Sequence, residues 1–369
     1  MTDDRPSIYR LDREQLADAL ADQPGYRVDQ LWHGLYAELR ETADISPLPA
    51  SLRTRIAQHF PTALTPEAEQ TADGGATTKW LWRLADGHHI ETVLMDYDDR
   101  STVCVSTQVG CAMACGFCAT GQAGFDRHLD TGEIVEQIIR AARAARPRRL
   151  SNVVFMGMGE PLANYEPTRA SLLRCRNDLG LSARHLTVST VGIVPGIDRL
   201  AHEGLPVTLA VSLHAANDEL RDALVPINKR YPLAELMTAC RRWKDTTGRR
   251  ISFEWAMIAD VNDSPTDARE LAELAAPLRA HVNLIPLNAT AGMPAAASAA
   301  ASIDRFRDVL TRSGVRVTVR ANRGNDIDAA CGQLRQRTST VRPAPVRIAS
   351  TNTSPAATKA PGHNTDRTT

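Results

Sequence analysis

Apolar residues recur at helical spacing in the first third of the chain. A stretch at residues 11–21 is broken by Pro24-Gly25. A second, at residues 30–39, presents Leu31, Leu35 and Leu39 on one side, and a third begins near Pro47 and carries Leu52, Ile56 and Phe60. These predict a small helical domain, with Asp73-Gly74-Gly75 as a turn or linker. Residues 77–96 then switch to alternation on both sides of Asp86-Gly87, the pattern of a β-hairpin. Beyond position 100 strand and helix patterns take turns, with strands expected at 101–107, 152–156, 186–190, 207–213, 251–258, 281–286 and 315–320. Asp130 with Glu133 reads as a capping box opening a helix that runs to Ala145, with Ile134, Ile138 and Ala142 on one face. Ser264-Pro265 reads as N-cap and first helical residue of another helix, and Ser302 as the cap of a last one.

Strand centres on the order of 30 residues apart match one βαβ unit each. Such a series builds a parallel sheet, as an open sheet or an incomplete barrel, and either form sets its working residues at the C-terminal ends of the strands. The domain organisation expected is a helical accessory domain at 1–75, a β-hairpin extension at 76–99, an α/β core at 100–334 and a disordered tail at 335–369 rich in Thr, Pro, Ser and Ala.

Charge changes this picture little. The chain has 43 basic and 43 acidic residues, so a histone-like or ribosomal-protein reading is disfavoured, while a local basic surface stays open. No apolar run reaches the roughly 18 residues of a membrane span. The charged N-terminus lacks an apolar signal core, so a cytoplasmic protein away from membranes is expected.

Cysteine usage changes it more. Seven cysteines is an odd number, and four of them (Cys104, Cys111, Cys115 and Cys118) crowd within fifteen positions, which points to metal or redox chemistry rather than a disulfide framework. Cys111, Cys115 and Cys118 follow a C-x3-C-x2-C spacing just after an expected strand, with Gly110 and Gly116 bracketing the turn. Three thiolates from one loop suit an iron–sulfur cluster or zinc, the latter with His128 as a possible fourth ligand. The bland alternative is a helix that turns all three cysteines to the core. The spacing, and Phe117 ahead of the last cysteine, resemble the radical S-adenosylmethionine superfamily. That resemblance implies an incomplete (β/α) TIM-like barrel and a four-iron, four-sulfur cluster whose open iron is chelated by S-adenosylmethionine.

Further matches lie at the ends of the expected strands. Gly159 and Glu160, in the run Met156-Gly157-Met158-Gly159-Glu160-Pro161, resemble the superfamily element that binds the cofactor's amino group. Ser189, the run Ser212-Leu213-His214, and Asn288 fall where the family contacts ribose, carboxylate and adenine; each alone reads as an ordinary turn residue. The runs GHHIETVLM and RGNDIDAACGQL extend the likeness to the radical RNA adenine methyltransferases within that superfamily, covering about Trp80 to Leu334.

This closer resemblance implies three catalytic residues. Cys331 carries a methyl group taken from one S-adenosylmethionine, a second molecule generates the radical, Glu91 removes the adenine C2 proton, and Cys104 releases the product by forming a disulfide with Cys331. It further implies large-subunit ribosomal RNA and transfer RNA as substrates, an electron donor such as flavodoxin, and a monomer. Two other functions stay open at this point: adenine-C8 methylation with the same cysteines, and a non-enzymatic cluster- or zinc-binding RNA adaptor. The basic stretches Arg146-Pro147-Arg148-Arg149, Lys229-Arg230, Arg241-Arg242 and Arg249-Arg250, with Tyr26, Arg27, Gln30 and Trp32, are candidate RNA contacts; Cys175 and Cys240 are expected to be buried.

Overall fold

The computed structural model of the protein describes residues 5–288, 296–320 and 334. Its strands, in chain order, are β1 (Thr65–Ala72), β2 (Thr77–Arg83), β3 (His89–Asp96), β4 (Ser101–Cys104), β5 (Gln108–Gly110), β6 (Phe125–His128), β7 (Asn152–Phe155), β8 (Leu186–Thr190), β9 (Thr208–Ser212), β10 (Ile251–Met257), β11 (His281–Pro286) and β12 (Arg316–Val319). Ten of them form one sheet in the order β1-β2-β3-β4-β7-β8-β9-β10-β11-β12, while β5 and β6 make a separate ribbon.

From β4 onward every pairing in the large sheet is parallel. All seven expected strands of this half are present. Thr102 of β4 and Thr318 of β12 line one cavity of about 500 Å³ together with residues of the strands between them. The sheet therefore curls on itself without closing: β4 pairs with β3 and β12 only with β11 among the described residues. This is the incomplete barrel. Its strands are largely buried because helices cover the outer face and the inner face lines the lumen, and β10 is buried at all of its positions.

The outer helices start where the chain supplies caps. Asp130 accepts from the Glu133 N–H while the Glu133 carboxylate accepts from the Asp130 N–H, opening the helix Thr131–Ala144. Ser264 and Asp267 do the same for Pro265–Leu278. Ser302 is a correction. The last helix begins earlier, at Ala300, with Ala299 as the extended N-cap residue. Alanine's high helix propensity carries the helix past Ser302, whose hydroxyl instead accepts from Arg305.

One strand has no counterpart in the periodicity. β1 has the polar sequence TPEAEQTA, and backbone pairing to β2 rather than apolar alternation makes it a strand. The helices Arg13–Ala19, Tyr26–Tyr36 and Ala50–His59 enclose their own apolar cluster, to which Val135 and Ile139 of Thr131–Ala144 also belong. Trp32 is part of that cluster: its indole donates to Asp178 at 3.0 Å and Arg174 lies over its ring, so it is a packing residue and not an RNA contact. No helix among the described residues is long and apolar enough to cross a membrane. The expected tail at 335–369 lies outside the described residues.

Candidate active site

The segment from Cys111 to Cys118 is a loop of turns, not a helix, so the three core-facing helical cysteines do not occur. It leaves β5 at Gly110, whose φ of +79° only glycine takes easily, and a Cβ there would stand 2.1 Å from the Gly124 carbonyl oxygen. The Cys111 N–H donates to the Gly124 carbonyl, the Cys118 N–H to the Cys115 carbonyl, and the Gly116 N–H to the Leu224 carbonyl. The loop is thereby folded back over the C-terminal ends of the parallel strands. Cys115 packs there in an apolar cluster with Ala215, Ala256, Ile258 and Leu287, while Met113, Phe117 and Cys118 flank it.

The donor set fits an iron–sulfur cluster. The three sulfurs interact electrostatically with one another, and Cys111 and Cys115 also with Glu160. Burial pushes the Cys111 thiol up to about 12 and the Cys115 thiol well above its ordinary value. Iron binding to such thiols displaces their protons. Zinc with His128 fits poorly. The exposed His128 ring is engaged through Nδ1 with Gln108 at 3.1 Å, and no three His, Cys, Asp or Glu side chains converge on a single-ion site among the described residues. A multi-iron cluster needs its thiols spread around a larger body.

Next to the loop lies the turn after β7. A Cβ on Gly157 would meet the Val105 carbonyl at 2.6 Å, and one on Gly159, at φ +102°, would meet the Gln108 side chain at 2.6 Å. These glycines press the turn onto the chain leaving β4. Glu160 is buried, and its two carboxylate oxygens accept from the N–H groups of Leu162 (3.0 Å) and Val191 (2.8 Å). Burial lifts its carboxyl to about 7, against the lowering effect of those hydrogen bonds. Its carboxylate, which also takes a hydrogen bond from the Thr190 side chain, thus ties the ends of β7 and β8 together.

The remaining predicted cofactor residues line the same rim. Ser189 is half-buried on β8 and donates to the Phe155 carbonyl at 2.7 Å. Ser212 ends β9, and Leu213 continues it with its N–H on the Glu254 carbonyl. His214 holds a left-handed φ of +61° and accepts at Nδ1 from the Ala256 N–H, which leaves the ring proton on Nε2. Its ring stands edge-on to Phe117 at 4.5 Å, joining the cysteine loop to β9. Burial, with Arg221 nearby, lowers His214 to about 3, so it is neutral. Asn288 is half-buried just beyond β11.

Sequence reasoning missed three braces of this rim. Arg221, fully buried, donates to the carbonyls of Val191, Leu213 and Ser212 and to Asn228, strapping β8 to β9. Asn262 donates to the carbonyls of His214 and Ala256, supporting the strained His214 backbone. Ser106 accepts from the Met158 N–H and donates to the Glu91 carbonyl, so it links the glycine turn to β3. Each acts through backbone groups distant in sequence, which no local motif announces.

Glu91 and Cys104 sit on neighbouring strands. Cys104 is buried, directly opposite Val93 of β3 and beside Val154 of β7. Alternation puts Glu91, Val93 and Met95 on one face of β3 with Cys104, and Met95 lines the lumen. Both predicted residues therefore belong to the inner wall. Cys331, Arg323, Gly324 and Gly332 lie outside the described residues. Cys175 and Cys240 are fully buried, as expected. Several candidate RNA arginines are occupied within the protein: Arg149 donates to the Leu179 and Gly180 carbonyls, Arg148 to the Tyr97 carbonyl, and Arg242 pairs with Asp198 through two bonds.

Comparison with known proteins agrees with this geometry. Residues 105–274 match the Radical SAM superfamily. The chain is 54% identical over 347 residues to a probable dual-specificity RNA methyltransferase RlmN of a Parafrankia species, covering 89% of this chain and 90% of that one. It is 51% identical over 335 residues to the protein of that name from Salinispora tropica, covering 87% and 90%. A crystal structure of a radical SAM methyltransferase from Sphaerobacter thermophilus superimposes with a TM-score of 0.86 at 50% identity, covering 89% of this chain and 98% of that one. That family uses a four-iron, four-sulfur cluster and S-adenosylmethionine. Matched to such relatives at about half identity over most of its length, the chain belongs to the RlmN family of radical S-adenosylmethionine methyltransferases.

Proposed function

We propose that the protein methylates C2 of adenine in large-subunit ribosomal RNA and in transfer RNA. The observation that carries this reading is the placement of Glu91 and Cys104 on one inner wall, beside the strand ends that hold the cysteine loop. The cluster held by Cys111, Cys115 and Cys118, with S-adenosylmethionine against Gly159, Glu160, Ser189, Ser212, Leu213, His214 and Asn288, supplies a 5′-deoxyadenosyl radical when both are bound.

The chain's own residues do the rest. Adenine C2 is too weak a nucleophile to take a methyl group directly, so Cys331 first accepts one from a separate S-adenosylmethionine, making two per turnover. Hydrogen loss from that S-methyl group gives a carbon radical that bonds to C2, joining RNA to Cys331, and the unpaired electron left on the ring passes to a one-electron acceptor, the oxidised form of the electron-donor system. Glu91 takes the C2 proton. The Cys104 thiolate then attacks the Cys331 sulfur, and the sulfur–carbon bond breaks with its electron pair left on the methylene carbon. That carbon takes a proton to complete the new methyl group, and a Cys104–Cys331 disulfide remains. The adenine leaves its stack to reach the lumen. A small reductant protein such as flavodoxin supplies the electron, and the enzyme works as a cytoplasmic monomer.

Mass spectrometry of nucleosides from RNA treated with reconstituted enzyme tests this reading. 2-Methyladenosine is the expected product. 8-Methyladenosine as sole product would assign the C8 activity, and no 5′-deoxyadenosine from S-adenosylmethionine and reductant would leave an RNA adaptor.

A further inference from the structure

Lys79 of β2 is one of the largest fully buried side chains in the protein, and its ammonium lies 2.9 Å from a carboxylate oxygen of Glu91, itself 2% exposed. The register is specific. Lys79 stands directly opposite Val93 of β3, and Val93 directly opposite Cys104 of β4. Lys79, Val93 and Cys104 thus form one row across three strands on the inner face, with strands roughly 4.8 Å apart. Glu91 lies two residues along β3 from that row, opposite Leu81. The ion pair runs diagonally from Lys79 to Glu91, next to the thiol that the proposed reaction uses.

Stability does not explain such a pair. Taking both charges out of water costs several kcal/mol per ion, and apolar residues of equal volume are often as stable or better. Leu81, Val93 and Leu94 show that this part of the sheet accommodates apolar side chains. What the pair supplies is geometry. A lone glutamate on an inner wall would choose among rotamers and turn toward whatever donor it met. A buried ammonium at hydrogen-bond distance fixes one carboxylate oxygen and aims the other. The Ser106 hydroxyl on the Glu91 carbonyl fixes the backbone at the same residue.

We propose that Lys79 is a positioning residue that holds the Glu91 carboxylate where it meets the C2 proton of the RNA bonded to Cys331. The inference rests on the reading of Glu91 as the base. Its step removes one proton and one electron from the ring radical that carbon–carbon bonding leaves: the C2–H bond breaks, the proton passes to a Glu91 oxygen, the bonding pair stays in the ring, and the unpaired electron passes to a one-electron acceptor, the oxidised form of the electron-donor system. Because the step follows radical formation and carbon–carbon bonding, a defect in Lys79 shows in the fate of the adduct.

The experiment is a single-turnover reaction of reconstituted, Cys331-methylated enzyme with a transfer RNA. It measures 5′-deoxyadenosine, protein–RNA adduct and free methylated RNA separately, for wild type, Glu91→Gln, Lys79→Met, Lys79→Gln and Lys79→Met/Glu91→Gln. Lys79→Met is expected to form 5′-deoxyadenosine as wild type does, to accumulate adduct, and to release methylated RNA about 10- to 100-fold more slowly, the range for residues that orient a reacting group. Glu91→Gln shows the same partition, and the double variant is no worse than Glu91→Gln alone. Release at the wild-type rate from a folded Lys79 variant overturns the proposal, as does a parallel loss of 5′-deoxyadenosine, adduct and product. Lys79→Gln keeps a donor without the charge and serves if loss of the buried cation unfolds Lys79→Met; failure of both to fold makes Lys79 structural and likewise overturns the proposal. Wild-type release from Glu91→Gln instead removes the base assignment itself, whatever Lys79 does.

Discussion

The rim that holds the cysteine loop and the wall that holds Glu91 and Cys104 are built in opposite ways. At the rim, three thiols come from one eight-residue loop, and close backbone approach fixes their setting: Gly110 against Gly124, Gly157 against Val105, Gly159 against Gln108. On the wall, Lys79, Glu91 and Cys104 come from three strands and meet only through register. A ligand loop that must wrap a bulky inorganic group needs local conformational freedom. Residues proposed to act in turn on one protein–RNA adduct need fixed spacing, which a β-ladder gives. Ser106 joins the two, since it bonds to the Glu91 carbonyl on one side and to the glycine turn on the other.

The largest effect separates the two regions. Cys118→Ala removes a proposed rim ligand and should bring 5′-deoxyadenosine formation to background, measured by chromatography with dithionite as reductant. Any substantial residual formation breaks the assignment of that loop. Next is Gly159→Ala. A Cβ at φ +102° and 2.6 Å from Gln108 should destabilise the turn by about 1–3 kcal/mol and weaken S-adenosylmethionine binding, read by calorimetry. Unchanged affinity and stability would mean that the close approach has no role.

A smaller effect tests the burial of His214. Its ordinary value of 6.5 falls to about 3 in the folded protein. As pH drops below 6.5 the unfolded chain binds this proton first, so the stability contribution present above 6.5 is lost toward 3, at up to about 1.4 kcal/mol per pH unit. Asparagine tolerates the left-handed backbone at this position. The stability gap between wild type and His214→Asn, from urea unfolding, should therefore shrink by up to about 2 kcal/mol between pH 7 and pH 5. A constant gap would place His214 in a wetter site. The smallest effect lies outside both regions: Ser264→Ala removes a helix cap and should cost about 1 kcal/mol of unfolding free energy with activity per folded molecule unchanged.

The rim was largely legible in the sequence because its determinants are contiguous: the cysteine spacing, the glycine–glutamate turn and the small residues at strand ends. The barrel was legible for the same reason, since each βαβ unit writes its own periodicity. The wall was not. Glu91 reads as an ordinary strand glutamate, and only likeness to a family singles it out. Lys79 carried no signal, because a lysine in an alternating strand normally faces water, and its burial follows from tertiary packing over that face of the sheet. β1 escaped notice because its polar residues pair through backbone groups. Arg221 and Asn262 satisfy carbonyls that become neighbours only after the strands assemble.

The division of labour between rim and wall is tested most directly by Cys104→Ala. With S-adenosylmethionine, reductant and RNA, this variant should form 5′-deoxyadenosine normally and accumulate RNA bonded to protein, seen as a nuclease-sensitive shift on a denaturing gel, because the thiol proposed to release the product is gone. Free methylated RNA appearing at the wild-type rate would contradict the account.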